Sequence, residues 1–342
     1  MIPAEMRAAV HRDRVGPAGI RQQIVPTPRA GDGEVLIALE RAGLNRHDVF
    51  VMDARTKSTP PLILGSDGVG LVVEVGAGVE SSMVGRRVIV NPCLGWDSPR
   101  DIPVVPEILG DPRWGTLAEF VAVPASNIAT PPPHLSDDEA ASLGLAGMTA
   151  YRALFSVGDL RPEQHLLIPA IGGGVALLAL SLARAIGTRV TVTSRRPEML
   201  ERALELGATD ALLTESDWAS TLGERVDLVL DTVGAPTFSR AVAALRPGGR
   251  LVSVGATAGA DVALDLRDLF FRQISIAGTS MASAQEFADM LQFVSHHEIR
   301  PVIGSTYSLD RSEQALEALS ANTHFGKIVV SIGGGDGKQT NA

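Results

Sequence analysis

The chain has 342 residues, 45% of them hydrophobic and 20% charged, with a formal net charge of −9. That length suits two cores better than one. The composition is globular, and the acidic balance argues against a nucleic-acid surface. One cysteine, Cys93, excludes an internal disulfide and any multi-cysteine zinc site.

The opening segment MIPAEMRAAVHRDRVG has no apolar stretch of signal-peptide length. The longest apolar run, Val175–Ala183, is far short of the ~20 residues of a membrane span, so a cytoplasmic location is expected. Residues 1 to 130 read as β-rich. EVLIALERAG, VGLVVEVG, RRVIVN and LAEFVAV are short strand-like runs bounded by Gly, Pro or Asp. Gly65, Gly68, Gly70, Gly76, Gly78 and Gly85 punctuate them, as a small, tightly turned barrel requires. ATPPPHLSDD is a stiff connector, with Ser136 as N-cap of the helix after it.

From His165 strands and helices alternate. Apolar runs fall at 166–169, 189–194, 210–213, 226–231, 250–255 and 274–278. PEMLERALELG begins with proline in its first turn and ends in glycine, a capped helix, and TFSRAVAALRPGG ends the same way. This alternation implies βαβ units and a parallel sheet. The last part holds a helix (AQEFADMLQFVSHHE), a strand (STYSL), another helix and a final strand (KIVVSI). The tail GGGDGKQTNA is expected to be disordered.

HLLIPAIGGGVALLALSLARAIG joins the first strand of the alternating series to a helix through three glycines. Backbone at Gly172, Gly173, Gly174 and Val175 can approach a pyrophosphate there, and the helix N-terminus favours its charge. The strict G-x-G-x-x-G is not met, since Ala176 stands where a last glycine would. A tight corner without a ligand is the plain alternative. The next strand, RVTVTS, ends about 20 residues on, where the fingerprint places the ribose-reading residue. An acid there would favour NADH; this chain has Ser194, Arg195 and Arg196. A guanidinium matches a 2′-phosphate in charge and fork geometry, so NADPH is the expected cofactor.

GLNRHDVF, LILGSDGVGLVVEVGAGV, GTLAEFVAVP, DEAASLGLAGMTAYRAL, IGGGVALLALSLARAIG and HFGKIVV occur in that order. This set resembles the medium-chain dehydrogenase/reductase superfamily, in particular its zinc-independent quinone oxidoreductase and enoyl reductase branch, over residues 5–332. The resemblance implies an α/β protein. A GroES-like β-barrel catalytic domain would comprise 1–130 plus 284–342. A Rossmann doubly wound parallel sheet domain at 131–283 would bind NADP(H), with a cofactor cleft between the two. Zinc alcohol dehydrogenases of the superfamily carry Cys where this chain has Asn45. They carry His-Glu where it has Ser66 and Asp67, and Cys, His or an acid where it has Leu145. Asn, Ser and Leu make no zinc site, and the structural zinc lobe needs four cysteines. No metal is therefore expected. Without a Lewis acid, hydride donation to a quinone or an activated alkene replaces alcohol oxidation.

The resemblance also implies roles. Asn45 would hold a substrate carbonyl through its amide N–H, or simply close a loop. His47 is a candidate proton donor, or a satisfied core residue. Asp48 matches the acid of the same motif, as a binder of backbone amides. Ser66 and Asp67 would line the acceptor pocket. Phe50 stands near where many relatives carry a tyrosine and donates no proton, which weakens alkene reduction and leaves quinone reduction untouched. Thr149 would touch the cofactor, or back-bond within its helix. Backbone at Gly255, Ala256 and Thr257, and at Gly278 and Thr279, would meet the nicotinamide carboxamide. Lys327 belongs to either the cofactor or the barrel. Residues 93–115, with Trp96 and Trp114, are expected to border the substrate pocket, and Cys93 to be an ordinary small residue. The rival readings are a biosynthetic enoyl or alkenal reductase with His47 or water as donor, and a dinucleotide-binding protein with little turnover; a zinc alcohol dehydrogenase ranks last. Relatives are often dimers, and the strand near 274–278 is the expected pairing edge of a homodimer.

Overall fold

EVLIALERAG is long enough to serve several neighbours at once, and it organises the first half of the chain. The computed structural model describes residues 1–333; the tail expected to be disordered lies, after Gly333, outside them. β1 (Glu5–His11) and β2 (Ile20–Pro26) form an antiparallel hairpin. β3 (Glu34–Gly43) leads into α1 (Arg46–Ala54), followed by β4 (Leu62–Ile63), which pairs with β1, and β5 (Asp67–Val75). β6 (Arg87–Val90), the short hairpin of β7 (Cys93–Leu94) and β8 (Glu107–Ile108), then β9 (Phe120–Pro124) and β10 (Ile128–Ala129) follow. β5 and β9 both run antiparallel to β3. The inward residues Val35, Ile37, Val72, Val88 and Val121 are buried together.

α2 (Asp137–Ala141) is capped by Ser136, whose Oγ accepts from Glu139 N at 3.3 Å while the Glu139 carboxylate accepts from Ser136 N at 2.8 Å. Arg41–Asp138 and Arg87–Asp137 ion pairs, each 2.6 Å, tie this helix to the β3 side. The first compact unit runs to Ala146, past the expected border at 130, and resumes at Ala282; the second is Gly147–Met281.

The second unit begins within α3 (Gly144–Tyr151), which passes into one π-turn, Arg152–Val157. The rest is βα alternation. β11 (His165–Ile168), α4 (Gly174–Ala185), β12 (Arg189–Ser194), α5 (Pro197–Glu205), β13 (Asp210–Leu213) and α6 (Trp218–Thr221) come first. β14 (Val226–Asp231), α7 (Ala235–Ala244), β15 (Leu245–Ser253), α8 (Leu266–Phe271) and β16 (Ser275–Gly278) complete it. The strands are parallel, in the order β13-β12-β11-β14-β15-β16. Each expected apolar run falls on one of them. β15 starts earlier than its run, because Leu245 pairs with Val226 before a bulge resumes at Arg250. The chain leaves β11 in one direction and returns on its other side at β14, so the switch point that favours ligands lies at the C-terminal ends of these two strands.

From Ala282 the first unit resumes with α9 (Ala284–His296), β17 (Ile303–Ser308), α10 (Ser312–Ala321) and β18 (Lys327–Ser331). β18 pairs antiparallel with β3, Val329 opposite Gly43, and parallel with β17. No helix among the described residues is long and apolar enough to cross a membrane.

Two buried histidines give this fold an acid limit. His11 Nδ1 accepts from Arg55 Nε at 3.2 Å, which leaves Nε2–H to face the Gly16 carbonyl at 3.0 Å. Burial holds the His11 imidazole below its ordinary value of 6.5; the Gly16 carbonyl opposes this and the Arg55 charge adds to it. Burial, then Arg189, does the same at His165. In the unfolded chain both rings take up protons first, so stability is complete above 6.5 and is lost as pH falls below it. The melting temperature should drop between about pH 7 and about pH 5, and His11→Gln should flatten that slope. Parallel slopes for the two proteins would remove His11 from the account.

Candidate active site

Three neighbouring strands bring one polar cluster together. Gly43 is opposite Asp67 on one side and Val329 on the other. Continuing the antiparallel register of β18 places Lys327 beside the Leu44–Asn45 turn, where Leu44 N donates to Ile328 O at 2.9 Å. Position 43 must be glycine, since a Cβ there would lie 2.1 Å from the Ala141 carbonyl oxygen.

The Lys327 ammonium, with its side chain 4% exposed, donates to Leu44 O at 2.8 Å, to Asn45 Oδ1, and to Asp67 Oδ2 at 3.3 Å. Asn45 Nδ2 donates to Asp67 Oδ2 at 2.9 Å and to Ser66 Oγ at 3.2 Å. The other carboxylate oxygen of Asp67 accepts from Leu145 N at 2.7 Å. Both amide hydrogens of Asn45 are thus committed inside the protein, and its carbonyl-holding role is replaced by a structural one. Lys327, left open between cofactor and barrel, has these contacts in the first unit. Asn45, Ser66, Asp67 and Lys327 come together as a set that includes the Leu145 backbone.

Asp48, the third residue of α1, closes the capping box on its N-cap Asn45: Oδ2 accepts from Asn45 N at 2.7 Å, and Oδ1 from Gly65 N at 3.0 Å. Burial pushes its carboxyl above the usual range, against the pull of His47 and of those backbone N–H groups. His47 follows Asn45 by two residues, and its Nε2 is buried without a hydrogen-bond partner among the described residues. Arg46, which sequence reasoning passed over, shares this turn; its guanidinium stands 5.8 Å from the centre of the half-exposed Phe50 ring. Among the described residues no group of three or more His, Cys, Asp or Glu side chains could hold a metal.

In the second unit, the glycine turn follows β11 and Ile171 N donates to Thr193 O at 2.8 Å. Gly172 has φ +133°, which demands glycine. Gly173 is the N-cap of α4, with ordinary dihedrals and no capping side chain, and a Cβ there would meet nothing within 4 Å. The first N–H groups of α4, at Gly174 and Val175, thus have no capping side chain to answer them. Ser194 Oγ accepts from Arg196 N at 3.1 Å, Arg195 is exposed, and Arg196 lies 4.0 Å from Glu198. Thr149 Oγ1 is buried with no partner among the described residues, so the back-bonded alternative does not occur. These features fit a dinucleotide: a cradle with space and an unanswered hydroxyl.

Gly255, Ala256 and Thr257 follow β15, and Thr257 Oγ1 donates to Thr232 O at 3.1 Å. Gly278 has open space at its Cβ position. Thr279 Oγ1 accepts from Arg152 Nε at 3.0 Å. Arg152, buried in the π-turn, was missed from sequence. So was Asp231 at the end of β14, whose Oδ1 accepts from Val233 and Gly234 N while Oδ2 is buried without a partner among the described residues. An arginine in a helix and an acid ending a strand carry no signal until the sheet order is known.

Residues 93–115 adjoin the Ser66–Asp67 stretch at Gly115, where a Cβ would lie 2.0 Å from the Gly65 carbonyl oxygen, while the two tryptophans face elsewhere. Trp96 is buried, its indole N–H donating to Ser98 O at 2.7 Å. Trp114, 41% exposed, borders a recess of about 190 Å³ with Pro28, Arg113, Phe120, Val121 and Ala122, none of them in the Asn45 cluster. Cys93 is buried and its thiol is pushed up to about 12, which makes it no nucleophile.

Residues 31–133 match the family model described as alcohol dehydrogenase GroES-like domain, and residues 174–296 match the one described as zinc-binding dehydrogenase. A zinc-type alcohol dehydrogenase-like protein of Leptosphaeria maculans is 34% identical, over 92% of this chain and 94% of its own length. A crotonyl-CoA reductase of Streptomyces collinus is 28% identical, over 93% and 83%. The solved structure of an NAD-dependent alcohol dehydrogenase superposes with a TM-score of 0.89 at 35% identity, covering 96% of this chain and all of that one. Identity at that level along nearly the whole length, with both family models in order, means that the chain belongs to the medium-chain dehydrogenase/reductase superfamily, as an oxidoreductase built for a nicotinamide dinucleotide and a small-molecule substrate.

Proposed function

We propose that this protein is a metal-independent, NADPH-dependent reductase that delivers hydride to an α,β-unsaturated carbonyl compound, with quinones as the second acceptor class. The observation that carries the reading is the donor set around Asp67. By the resemblance, an amide and a hydroxyl, Asn45 and Ser66, stand where zinc relatives carry thiolate and imidazole; the Lys327 ammonium is paired with Asp67 beside them, and none of the three is a zinc ligand. The crotonyl-CoA reductase relative favours the alkene over the quinone.

When bound, the dinucleotide supplies the hydride. The chain's own groups do the rest. Gly172, Gly173, Gly174 and Val175 hold the pyrophosphate by backbone N–H. Ser194, Arg195 and Arg196 read the 2′-phosphate. Thr149, Gly255, Ala256, Thr257, Gly278 and Thr279 orient the nicotinamide end, Thr279 being steadied by Arg152. The Asn45, Ser66 and Asp67 cluster shapes the acceptor pocket, and His47 Nε2 gives the proton that the alkene α-carbon requires. The open edge of β16, flanked by the exposed rings of Phe270 and Phe271, pairs with the same edge of a second copy; sedimentation of wild type against Ile276→Asp reads this, and two monomers would remove it.

The test is an acceptor panel of enoyl thioesters, enones, quinones and aldehydes, run with NADPH and NADH before and after dialysis against a strong chelator. Alkene turnover with NADPH that survives the chelator is expected. Arg195→Ala should weaken NADPH binding roughly 10- to 100-fold and leave NADH binding unchanged, since a charged hydrogen bond is worth about 1.5–3 kcal/mol. Aldehyde turnover restored only by zinc would overturn the proposal. Tight NADPH binding without turnover on any acceptor would favour a dinucleotide-binding module.

A further inference from the structure

A lysine ammonium is rarely taken out of water, and here the fold surrounds one completely. Lys327 is 4% exposed, and each of its three N–H bonds has an oxygen: a backbone carbonyl, an amide oxygen and a carboxylate. Asp67 is equally buried, and its oxygens receive the ammonium, the Asn45 amide and the Leu145 N–H. A buried ion pair of this kind adds little to stability compared with apolar packing, while removal of one partner is strongly destabilising. Such a pair is better explained by what it positions. Its contacts fall on Leu44 O and Asn45 Oδ1, the two residues before Arg46 and His47. An ammonium can only donate, so Asn45 must present its oxygen to Lys327 and its NH2 to Asp67 and Ser66. The same Asn45 gives its backbone N–H to Asp48, which fixes the first turn of α1.

We propose that Lys327 is the resident cation of this site and a positioning residue. With Asp67 as its counter-charge, it fixes the orientation of the Asn45 amide and, through the Leu44–Asn45 turn, the direction of His47. The inference rests on the proposed function for what His47 does, and on geometry alone for how it is held. The chain carries its own positive charge, 282 residues distant in sequence from Asn45, between Asp67 and the Leu44–Asn45 turn.

The experiment compares wild type with Lys327→Met, Asp67→Asn, Lys327→Met/Asp67→Asn and Lys327→Arg, all as full-length protein. Thermal unfolding comes first. Lys327→Met alone should lower the melting temperature by about 5–10 °C, and the uncharged double variant should recover most of it. Next, the side-chain ¹H–¹⁵N correlation of His47 is read by NMR without cofactor, with His134 as control. His47 should move in the folded double variant and stay near its place in Lys327→Arg, while His134 stays fixed. With NADPH and 2-cyclohexen-1-one, the double variant should lose at least tenfold in kcat with little change in NADPH affinity. A His47 signal unmoved in the stable double variant would overturn the positioning role, and equal melting temperatures for Lys327→Met and wild type would overturn the ion pair. Failure of wild type to reduce any alkene or quinone would count against the proposed function only, since the melting and NMR comparisons need no turnover.

Discussion

Gly173→Asp is expected to abolish dinucleotide binding and leave the fold untouched. Two properties of the site make this sharp. Gly173 sits at φ −78° and ψ 163°, where any residue is comfortable, and a Cβ there meets nothing within 4 Å. It is also the N-cap of α4, a position where aspartate is among the preferred residues because its side chain accepts the N–H groups of the first turn. The substitution should hold or slightly raise the melting temperature. Those same N–H groups are the ones proposed for the pyrophosphate. An aspartate would occupy them and set a negative charge against the phosphates, for a loss of roughly 100-fold or more in affinity, or about 3 kcal/mol. Gly172→Ala is the contrast. At φ +133° a side chain is strained whether or not a ligand binds, so that variant should lose stability by about 1–3 kcal/mol. Isothermal titration with NADPH, beside thermal melts, separates the two glycines. Wild-type affinity in a well-folded Gly173→Asp protein would reduce the turn to a tight corner and take the reductase proposal with it.

What the sequence made legible is what local pattern controls. Runs such as HLLI and RVTVTS are buried on both faces in a parallel sheet, so they read as short apolar stretches, and each lies on a strand of the second unit. Ser136 was readable as a cap because capping is a matter of three residues. The Asn45 cluster was readable only as a set of resemblances. Its geometry depends on β18 lying against β3 in one register, and a shift of one residue would turn Lys327 to the other face. That register buries Ile328 and Val330 in the same core as Ile37 and Val72, a long-range arrangement which no short stretch encodes. The same holds for Trp96 and Trp114. A loop rich in Pro and Trp invites a pocket, but Trp96 turns inward and spends its N–H on a neighbouring carbonyl. Thr149 went the other way: a hydroxyl on a helix usually bonds back to the preceding turn, and here it does not, which is the more telling observation.

His47→Ala should separate the two acceptor classes. Alkene reduction needs a hydride at one carbon and a proton at the next, and the second transfer has a barrier of its own when no acid is in place. A positioned general acid contributes about 10²- to 10⁴-fold, so kcat on an enone or enoyl thioester should fall by about that much. A quinone needs no carbon-bound proton. Its hydroquinone oxygens are protonated by water, and kcat on a quinone should stay within a fewfold of wild type. The ratio of the two rates is the informative quantity, because damage to folding or to the cofactor site would lower both together. His47 is singled out by its buried Nε2, which no described residue engages, whereas the Asn45 amide and the Asp48 carboxylate are already consumed by neighbours. Retained alkene reduction in His47→Ala would move the proton to water and leave the histidine as a wall of the pocket. Equal losses on both acceptors would mean that His47 matters for α1 and its turn. Only a selective loss on the alkene makes the imidazole the acid.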